Sequence, residues 1–475
     1  MKFSRENPPI PIFQYVAMFT GTLSIVSSGM HYGWPSPSLP QLQAPKSLLP
    51  VTNEEGSWMA VIPLLGATLG AIFSGFILDV IGRKKGVLMT SVPFFVSWLM
   101  VAYAKSVAVL LVARFIAGIA DGAAFCAVPM YLGEIADVKI RGLLVSSCSL
   151  MWIFGMLLIN IIGAYTSIKL AAIISSVFPA VLLVTFVWMP ESPYYLIMKG
   201  RMDEARRSLR IFKRVHEVDG ELGRLSAAVK EQSTNTGKFL DLFTVSSNRK
   251  AILIVMGMRA IQQCSGMLAI TFYAQTIFKS ASDDLSSSTA TIIYFSVHLA
   301  VACISSLIMD RTGRRPLLII STVGTAIALL LEGLYFYLKT DHPDLGISRY
   351  SFIPVAALIS FIILFGIGLQ TIPILLLGEL FPTNVKAFAL CVADIYFSIV
   401  ATIVSKFFQA MKDNYGMHVP FFAFTVCCAV GLLFIIFCVP ETKGKTLEQI
   451  QEEFKGKSKD DVHQKETFKQ IFEAY

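Results

Sequence analysis

Asp79-Val80-Ile81-Gly82-Arg83-Lys84, which returns as Asp310-Arg311-Thr312-Gly313-Arg314-Arg315, decides how this 475-residue chain is built. Two more polar signatures repeat in the same order. Gly133-Glu134, with Arg141 seven residues past the glutamate, returns as Gly378-Glu379 with Lys386 seven past. Pro190-Glu191-Ser192 returns as Pro440-Glu441-Thr442. The copies are offset by 231, 245 and 250 residues, and each lies beside a long apolar run. The chain is a sequence repeated in halves.

Composition identifies the solvent. The chain is 55% hydrophobic and 15% charged, against roughly 25% charged in a soluble domain. Twelve apolar runs are long enough to cross a bilayer: 12–33, 56–79, 87–104, 107–132, 143–164, 169–189, 251–279, 289–309, 316–338, 351–377, 387–411 and 420–439. Backbone groups find no water inside lipid, so these runs are expected to be helices. The chain reads as an all-α membrane protein of twelve transmembrane helices. A membrane chain repeated in halves has the build of a secondary transporter.

The net charge of +8 invites a nucleic-acid reading that its distribution excludes. Of 40 Lys and Arg, three lie in spans, seven on one side, and 30 on the other side with both termini. Positive residues favour the cytoplasmic face, so both termini are expected there. Residues 1–11 are polar and proline-rich and the first run is long enough to span, so no removable signal is expected. All eight cysteines fall within spans, as small apolar residues. Metal and nucleotide motifs and a nucleophile–base set are missing from the pattern, so no metal, cofactor or enzyme activity is expected.

Organisation follows from these spans: a tail 1–11, a six-helix bundle 12–190, a linker 191–250, a second bundle 251–440 and a tail 441–475. The linker carries 12 basic and 8 acidic residues. From Gly200 it reads as helix, acids before bases, with Leu209, Phe212 and Val215 at helical spacing. A cytoplasmic helical subdomain is expected.

The repeated signatures place acids and bases where helix ends meet. Glu134 with Arg141, and Glu379 with Lys386, are expected to bridge neighbouring helices, with Asp79 and Arg83 at the first copy and Glu191 and Glu441 as further acids near Arg314 and Arg315. Exposed ion pairs contribute about 0–1 kcal/mol each, a weakness suited to a gate that opens every cycle.

The set Gly82-Arg83-Lys84, Arg114-x-x-x-Gly118, Pro129-x-Tyr131-x-x-Glu134 through Arg141-Gly142, Pro190-Glu191-Ser192-Pro193, Gln262-Gln263-x-Ser265-Gly266, Asp310 through Arg315 and Pro440-Glu441-Thr442-Lys443-Gly444 resembles the sugar porters of the major facilitator superfamily. Gly33-Trp34-Pro35-Ser36-Pro37-Ser38-Leu39-Pro40 and Glu54-Glu55-Gly56-Ser57-Trp58 are similar to its insect facilitated trehalose transporter branch. The resemblance implies two six-helix bundles around a central cavity, joined by the cytoplasmic linker.

It also implies where a sugar would sit. Gln262 and Gln263 match the family's paired amides, and Phe272 and Tyr273 its aromatic pair. The family's Asn on that helix falls at Leu268. The helix 8 amide falls at His298, the helix 10 Trp at Ile374, the helix 11 Asn at Phe397 and the helix 5 Gln at Ser149. About half the usual polar and stacking contacts are replaced, so either the ligand is repositioned, as a disaccharide or polyol using His298 and the N-terminal half, or it is not an ordinary hexose. Buried unpaired donors cost on the order of 1–3 kcal/mol each.

Arg114 matches the family's helix 4 arginine, and the alignment puts His31 where proton-coupled relatives carry an aspartate. That favours a passive uniporter, with possible coupling through His31 and Arg114 as the minority reading. Asp121, Arg259, Asp394 and Lys406 stand outside the family pattern, Arg259 one turn before Gln262 where an anionic ligand would meet it. Glu332 is expected to reach water. Prolines and glycines at Pro354, Gly366, Gly368 and Pro373 mark helix 10 as a gate.

The function expected is transport of a sugar, trehalose, glucose or a related saccharide or polyol, by alternating access and facilitated diffusion in the plasma membrane. A proton-coupled symporter or a carrier of a non-sugar, and a non-transporting sugar sensor, are the alternatives. The partners expected are the sugar and the lipid bilayer, with no nucleic acid.

Overall fold

The computed structural model describes residues 12–45, 47, 49–137, 139–213, 218–234, 238–281, 286–345, 350–445 and 449–450. Val215, the side chain of Asp310 and most of both tails lie outside the described residues. The chain separates into two units, Met1–Thr234 and Asn235–Tyr475. All regular elements among the described residues are helices.

Unit 1 holds α1 (Ile12–Gly21), α2 (Leu23–Gly33), α3 (Pro35–Leu42), α4 (Asn53–Ile81), α5 (Arg83–Ala102), α6 (Val107–Ile135), α7 (Arg141–Tyr165), α8 (Ile168–Phe186), α9 (Pro193–Met198), α10 (Met202–Lys213) and α11 (Val218–Thr234). Unit 2 holds α12 (Asp241–Thr244), α13 (Ser246–Cys264), α14 (Met267–Ala281), α15 (Ser287–Thr312), α16 (Arg314–Asp341), α17 (Phe352–Ile367), α18 (Ile372–Leu380), α19 (Thr383–Tyr415) and α20 (His418–Cys438), with one 3-10 turn at Pro343–Leu345.

Eleven helical stretches among the described residues are long and apolar enough to cross a bilayer. The twelfth is α1 with α2. Thr22 interrupts it, yet the ladder runs through: Thr22 donates to the Met18 carbonyl and Val26 to the Thr22 carbonyl, both at 2.9 Å. Each unit thus contributes six spanning helices. The observed helices outrun the apolar runs at their charged ends, because hydrogen-bonded polar turns extend them. Asn53–Ile81, for example, replaces 56–79. Its start is a capping box, in which the Glu55 N–H donates to Thr52 Oγ1 at 3.2 Å and the Thr52 N–H to Glu55 Oε2 at 2.9 Å.

Two spans in unit 2 are broken. Gly266, at φ +81°, sits between α13 and α14. Helix 10 breaks between Ile367 and Ile372, with Pro373 in the first turn of α18. Ser321 secures that break by donating to the Leu364 carbonyl at 2.6 Å and accepting the Leu369 N–H at 3.0 Å.

In unit 1, α4 and α5 pack on α6, α2 on α7 and α5 on α8; in unit 2, α16 packs on α17 and α20. Helices α9 to α11 belong to unit 1, and Tyr195, Leu196, Ile197 and Ala205 form their small core against Leu222, Leu225 and Val229. Leu209 and Phe212 are buried. Buried Gln14 ties this segment to the bundle, donating to the Phe212 carbonyl and Asp137 Oδ2 at 3.0 Å each.

Candidate functional site

The repeated signatures build two matching charge clusters, one inside each unit. In unit 1, Arg83 donates through Nε to Glu134 Oε1 at 3.0 Å and pairs with Asp79 at 2.9 Å. Glu191 Oε1 accepts the backbone N–H groups of Arg83 (3.1 Å) and Lys84 (2.9 Å), so a carboxylate sits on the N-terminus of α5. Ser192 donates to Glu134, and the Arg83 guanidinium lies 5.2 Å from the Tyr195 ring centre. In unit 2, Arg314 binds Glu379 at 3.0 Å, Thr442 donates to Glu379, and Glu441 accepts the N–H groups of Arg314 (3.1 Å) and Arg315 (3.0 Å). Burial raises the Glu441 carboxyl, but the N–H groups of Lys443, Arg314, Arg315 and Thr442 outweigh it and hold the group below the ordinary glutamate value.

Gly82 and Gly313 make room for these carboxylates. Both have φ near +100°, and a Cβ at Gly82 would stand 2.4 Å from Glu191 Oε2, at Gly313 3.1 Å from Glu441 Oε2. The glycine before the arginine and the glutamate after the proline are one device.

The partners differ from those the spacing suggested. Glu134 takes Arg83, and Arg141 is exposed at the start of α7. Lys386 Nζ donates to the Gly378 carbonyl at 3.0 Å, while Glu379 takes Arg314. The Arg315 guanidinium donates to the Ile436 carbonyl. A spacing of seven residues across a helix–loop–helix junction cannot show that the base at the start of α5 or α16 has the shorter reach.

Inside unit 1, Arg114 donates to the Met59 carbonyl at 3.1 Å and to the His31 carbonyl, faces His31 Nδ1 at 3.4 Å and lies 5.1 Å from the Trp34 ring. His31 stacks on Trp98 with centroids 3.8 Å apart. Asp121, two turns along α6 from Arg114, accepts hydrogen bonds from Ser28 and, at 3.1 Å, Tyr32.

Inside unit 2 the two helix breaks meet through side chains. Gln262 Nε2 donates to the Leu369 and Gln370 carbonyls at 3.0 Å each, and its Oε1 accepts Arg259 at 3.1 Å. Gln370 Oε1 lies 3.0 Å from His298 Nε2. Arg259 pairs with Asp394 at 2.9 Å and covers the Phe397 ring at 5.1 Å. Three buried atoms of this cluster have no hydrogen-bond partner: Gln263 Oε1, His298 Nδ1 and Arg259 Nε. Phe272 and Leu268 are buried, and buried Tyr273 stacks on Phe408 with its hydroxyl unpartnered. Ile374 and Ser149 are exposed.

The structure therefore joins Gln262 and His298 through Gln370, which the sequence reading missed. The signal was available, since Gln370 sits inside the Gly366–Pro373 break, where side chains are needed to satisfy freed backbone groups. Glu332, expected to reach water, is fully buried with both carboxyl oxygens unpartnered, because it shares the buried face of α16 with Leu329, Gly333 and Phe336.

Two broken helices, matched charge clusters and interior polar groups in six-helix units are the build of a major facilitator transporter. The chain matches the sugar (and other) transporter family over residues 13–454 and belongs to that family. It is 33% identical over 440 residues to the facilitated trehalose transporter Tret1 of Bombyx mori, covering 92% of this chain and 86% of that protein. It is also 33% identical to Tret1 of Drosophila grimshawi, of which it spans 49%. In fold it is similar to the inward-open xylose transporter XylE of E. coli, with TM-score 0.78 and 22% identity over 92% of this chain and 99% of that one.

Proposed function

We propose that this protein carries a saccharide across the plasma membrane by alternating access and facilitated diffusion, with both termini cytoplasmic and a trehalose-sized or smaller sugar as cargo. The bundles are 12–190 and 251–440, joined by the cytoplasmic segment 191–250. The observation that carries the reading is the polar set at the two breaks in unit 2. Gln263 Oε1 and His298 Nδ1 are buried beside helix breaks with no partner, and a buried polar atom left unpaired costs on the order of 1–3 kcal/mol. A hydroxyl-rich ligand satisfies them. The trehalose relatives support the saccharide class.

Facilitated diffusion is supported by His31, whose Nδ1 faces the Arg114 guanidinium and so accepts a hydrogen bond instead of offering a proton there. The pairing of Arg259 with Asp394 speaks against an anionic cargo, since the guanidinium already has its carboxylate. The charge clusters would hold the cytoplasmic ends of the helices and release them in each cycle.

The test is uptake of radiolabelled trehalose, glucose and xylose into liposomes holding the purified protein, with and without an imposed pH gradient. Saturable uptake of at least one sugar, indifferent to the gradient, is expected. Binding without uptake would make the protein a sensor, and uptake only under a gradient would make it a symporter.

A further inference from the structure

Asp121 lies in the middle of α6, buried, and no Lys or Arg pairs with it among the described residues. It accepts from Ser28 and Tyr32, one hydroxyl on each carboxylate oxygen. An ionised carboxylate offers about four acceptor positions, so about two remain open.

What stands around it is aromatic. Trp152 of α7 packs edge-on against Tyr32 at 5.3 Å and against Phe125 at 6.5 Å. The indole Nε1 of Trp152 is buried and has no partner. Phe125 follows Asp121 by about one turn and is 40% exposed. The other exposed large apolar residues of α6, Val112 and Met130, lie about two and a half turns to either side of Asp121, on the opposite face. Phe125 therefore opens a different side of unit 1 from the one those residues present. Ser149, exposed on α7 about one turn before Trp152, lies on this same side.

A carboxylate with open acceptor positions and an indole with an unused N–H flank the same residue, Tyr32. Ring hydroxyls donate to a carboxylate through charge-assisted bonds, roughly twice as strong as neutral ones, and the C–H face of a pyranose packs on an indole. We propose that Asp121 and Trp152 form a saccharide subsite within unit 1: Asp121 accepts from two neighbouring hydroxyls of one pyranose ring, and Trp152 supplies the stacking face and one N–H. The proposal rests on the saccharide reading above. It accounts for a chain that has lost polar contacts at Leu268 and Ile374 in unit 2 and has gained a carboxylate in unit 1.

Liposome uptake and equilibrium binding of the sugar that wild type carries, for Asp121→Asn and Trp152→Phe, test it. Asp121→Asn is expected to raise KM about 10- to 100-fold and Trp152→Phe about 3- to 10-fold. In a series of singly deoxygenated analogues of that sugar, one or two should lose affinity for wild type and lose nothing further in Asp121→Asn. If wild type moves no sugar, the saccharide reading fails on the wild-type lane alone. If wild type transports and both variants keep KM within about twofold, the subsite is overturned. If Asp121→Asn does not purify as a folded protein, Trp152→Phe with the analogue series decides in the same way. A gradient-driven wild-type uptake that becomes gradient-independent in Asp121→Asn with unchanged KM would assign the carboxylate to proton carriage and also overturn it.

Discussion

Glu191 and Arg83 meet through the backbone: Glu191 Oε1 accepts the Arg83 N–H at 3.1 Å, and the guanidinium is left to Glu134 and Asp79. Glu441 and Arg314 repeat the relationship in unit 2. One acid caps the helix while another neutralises its first side chain, so each helix start is held by two independent attachments.

Removing the capping acid is expected to destabilise its unit by about 0.5–2 kcal/mol. Glu191→Gln should cost less than Glu191→Ala, because the amide oxygen still accepts an N–H. The glycines order themselves by clearance: Gly82→Ala places its Cβ 2.4 Å from the carboxylate, Gly313→Ala 3.1 Å. Melting temperatures in detergent should fall further for Gly82→Ala, and equal falls would refute the close-approach argument.

The Glu441 cap has a pH sign. Its folded-state carboxyl lies below the ordinary glutamate value, so it stabilises above the unfolded pKa of about 4.3. That contribution disappears as pH falls through the lower folded value. Thermal stability referred to Glu441→Gln should be flat from neutrality to about pH 5 and converge with the variant at more acid pH. A difference that grows as pH falls would reverse the sign.

The charge partners give a third expectation. Arg314 binds Glu379, while the Arg315 guanidinium goes to the Ile436 carbonyl. A double-mutant cycle on Arg314→Ala and Glu379→Ala should show coupling of about 1–3 kcal/mol, and the same cycle with Arg315→Ala much less. With cysteines introduced at the inner mouth, Glu379→Gln should label faster than wild type. Unchanged labelling in Glu379→Gln and Arg314→Ala would remove the clusters from the gate.

What the sequence made legible, and what it hid, divides on range. The spans show because bilayer thickness sets the length of an apolar helix, and repeated Gly-Arg and Pro-Glu pairs show because each copy is local. The break at Gly266 was visible only as a glycine; its direction depends on the Phe424 ring, which a Cβ there would strike at 2.3 Å. Whether Glu134 takes Arg83 or Arg141 depends on how helices far apart in sequence are rotated, which periodicity leaves open. Gln370 escapes the sequence reading because a glutamine between Gly368 and Pro373 reads as loop until His298, 72 residues away, is placed against it. Glu332 was taken for a surface acid because its position along the helix says nothing about its azimuth.

Glu332 supplies the fourth expectation. A buried carboxyl without a partner is costly, so a neutral or apolar residue of similar size is tolerated or preferred. Glu332→Gln is expected to raise the melting temperature or leave it unchanged, and Glu332→Lys to lower it sharply. A marked loss of stability in Glu332→Gln would mean the acid has a partner after all.

The last expectation separates two adjacent glutamines. Gln262 makes three hydrogen bonds within unit 2, two of them to the carbonyls of Leu369 and Gln370. Gln263 Oε1 and His298 Nδ1 make none. Gln262→Ala leaves two carbonyls of the helix break unpaired, at about 1–3 kcal/mol each before relaxation, and should therefore lower the melting temperature and the maximal uptake rate together. Gln263→Ala removes an acceptor that a ligand alone satisfies, whereas His298→Ala also takes Nε2 away from Gln370 Oε1. Each should raise KM several-fold, with the melting temperature moving little in Gln263→Ala and falling in His298→Ala. The contrast is read by measuring melting and uptake on the same preparations. If Gln262→Ala melts as wild type does and changes only KM, the amide faces the cargo instead of the helix break, and the roles of the two glutamines are the reverse of those argued here.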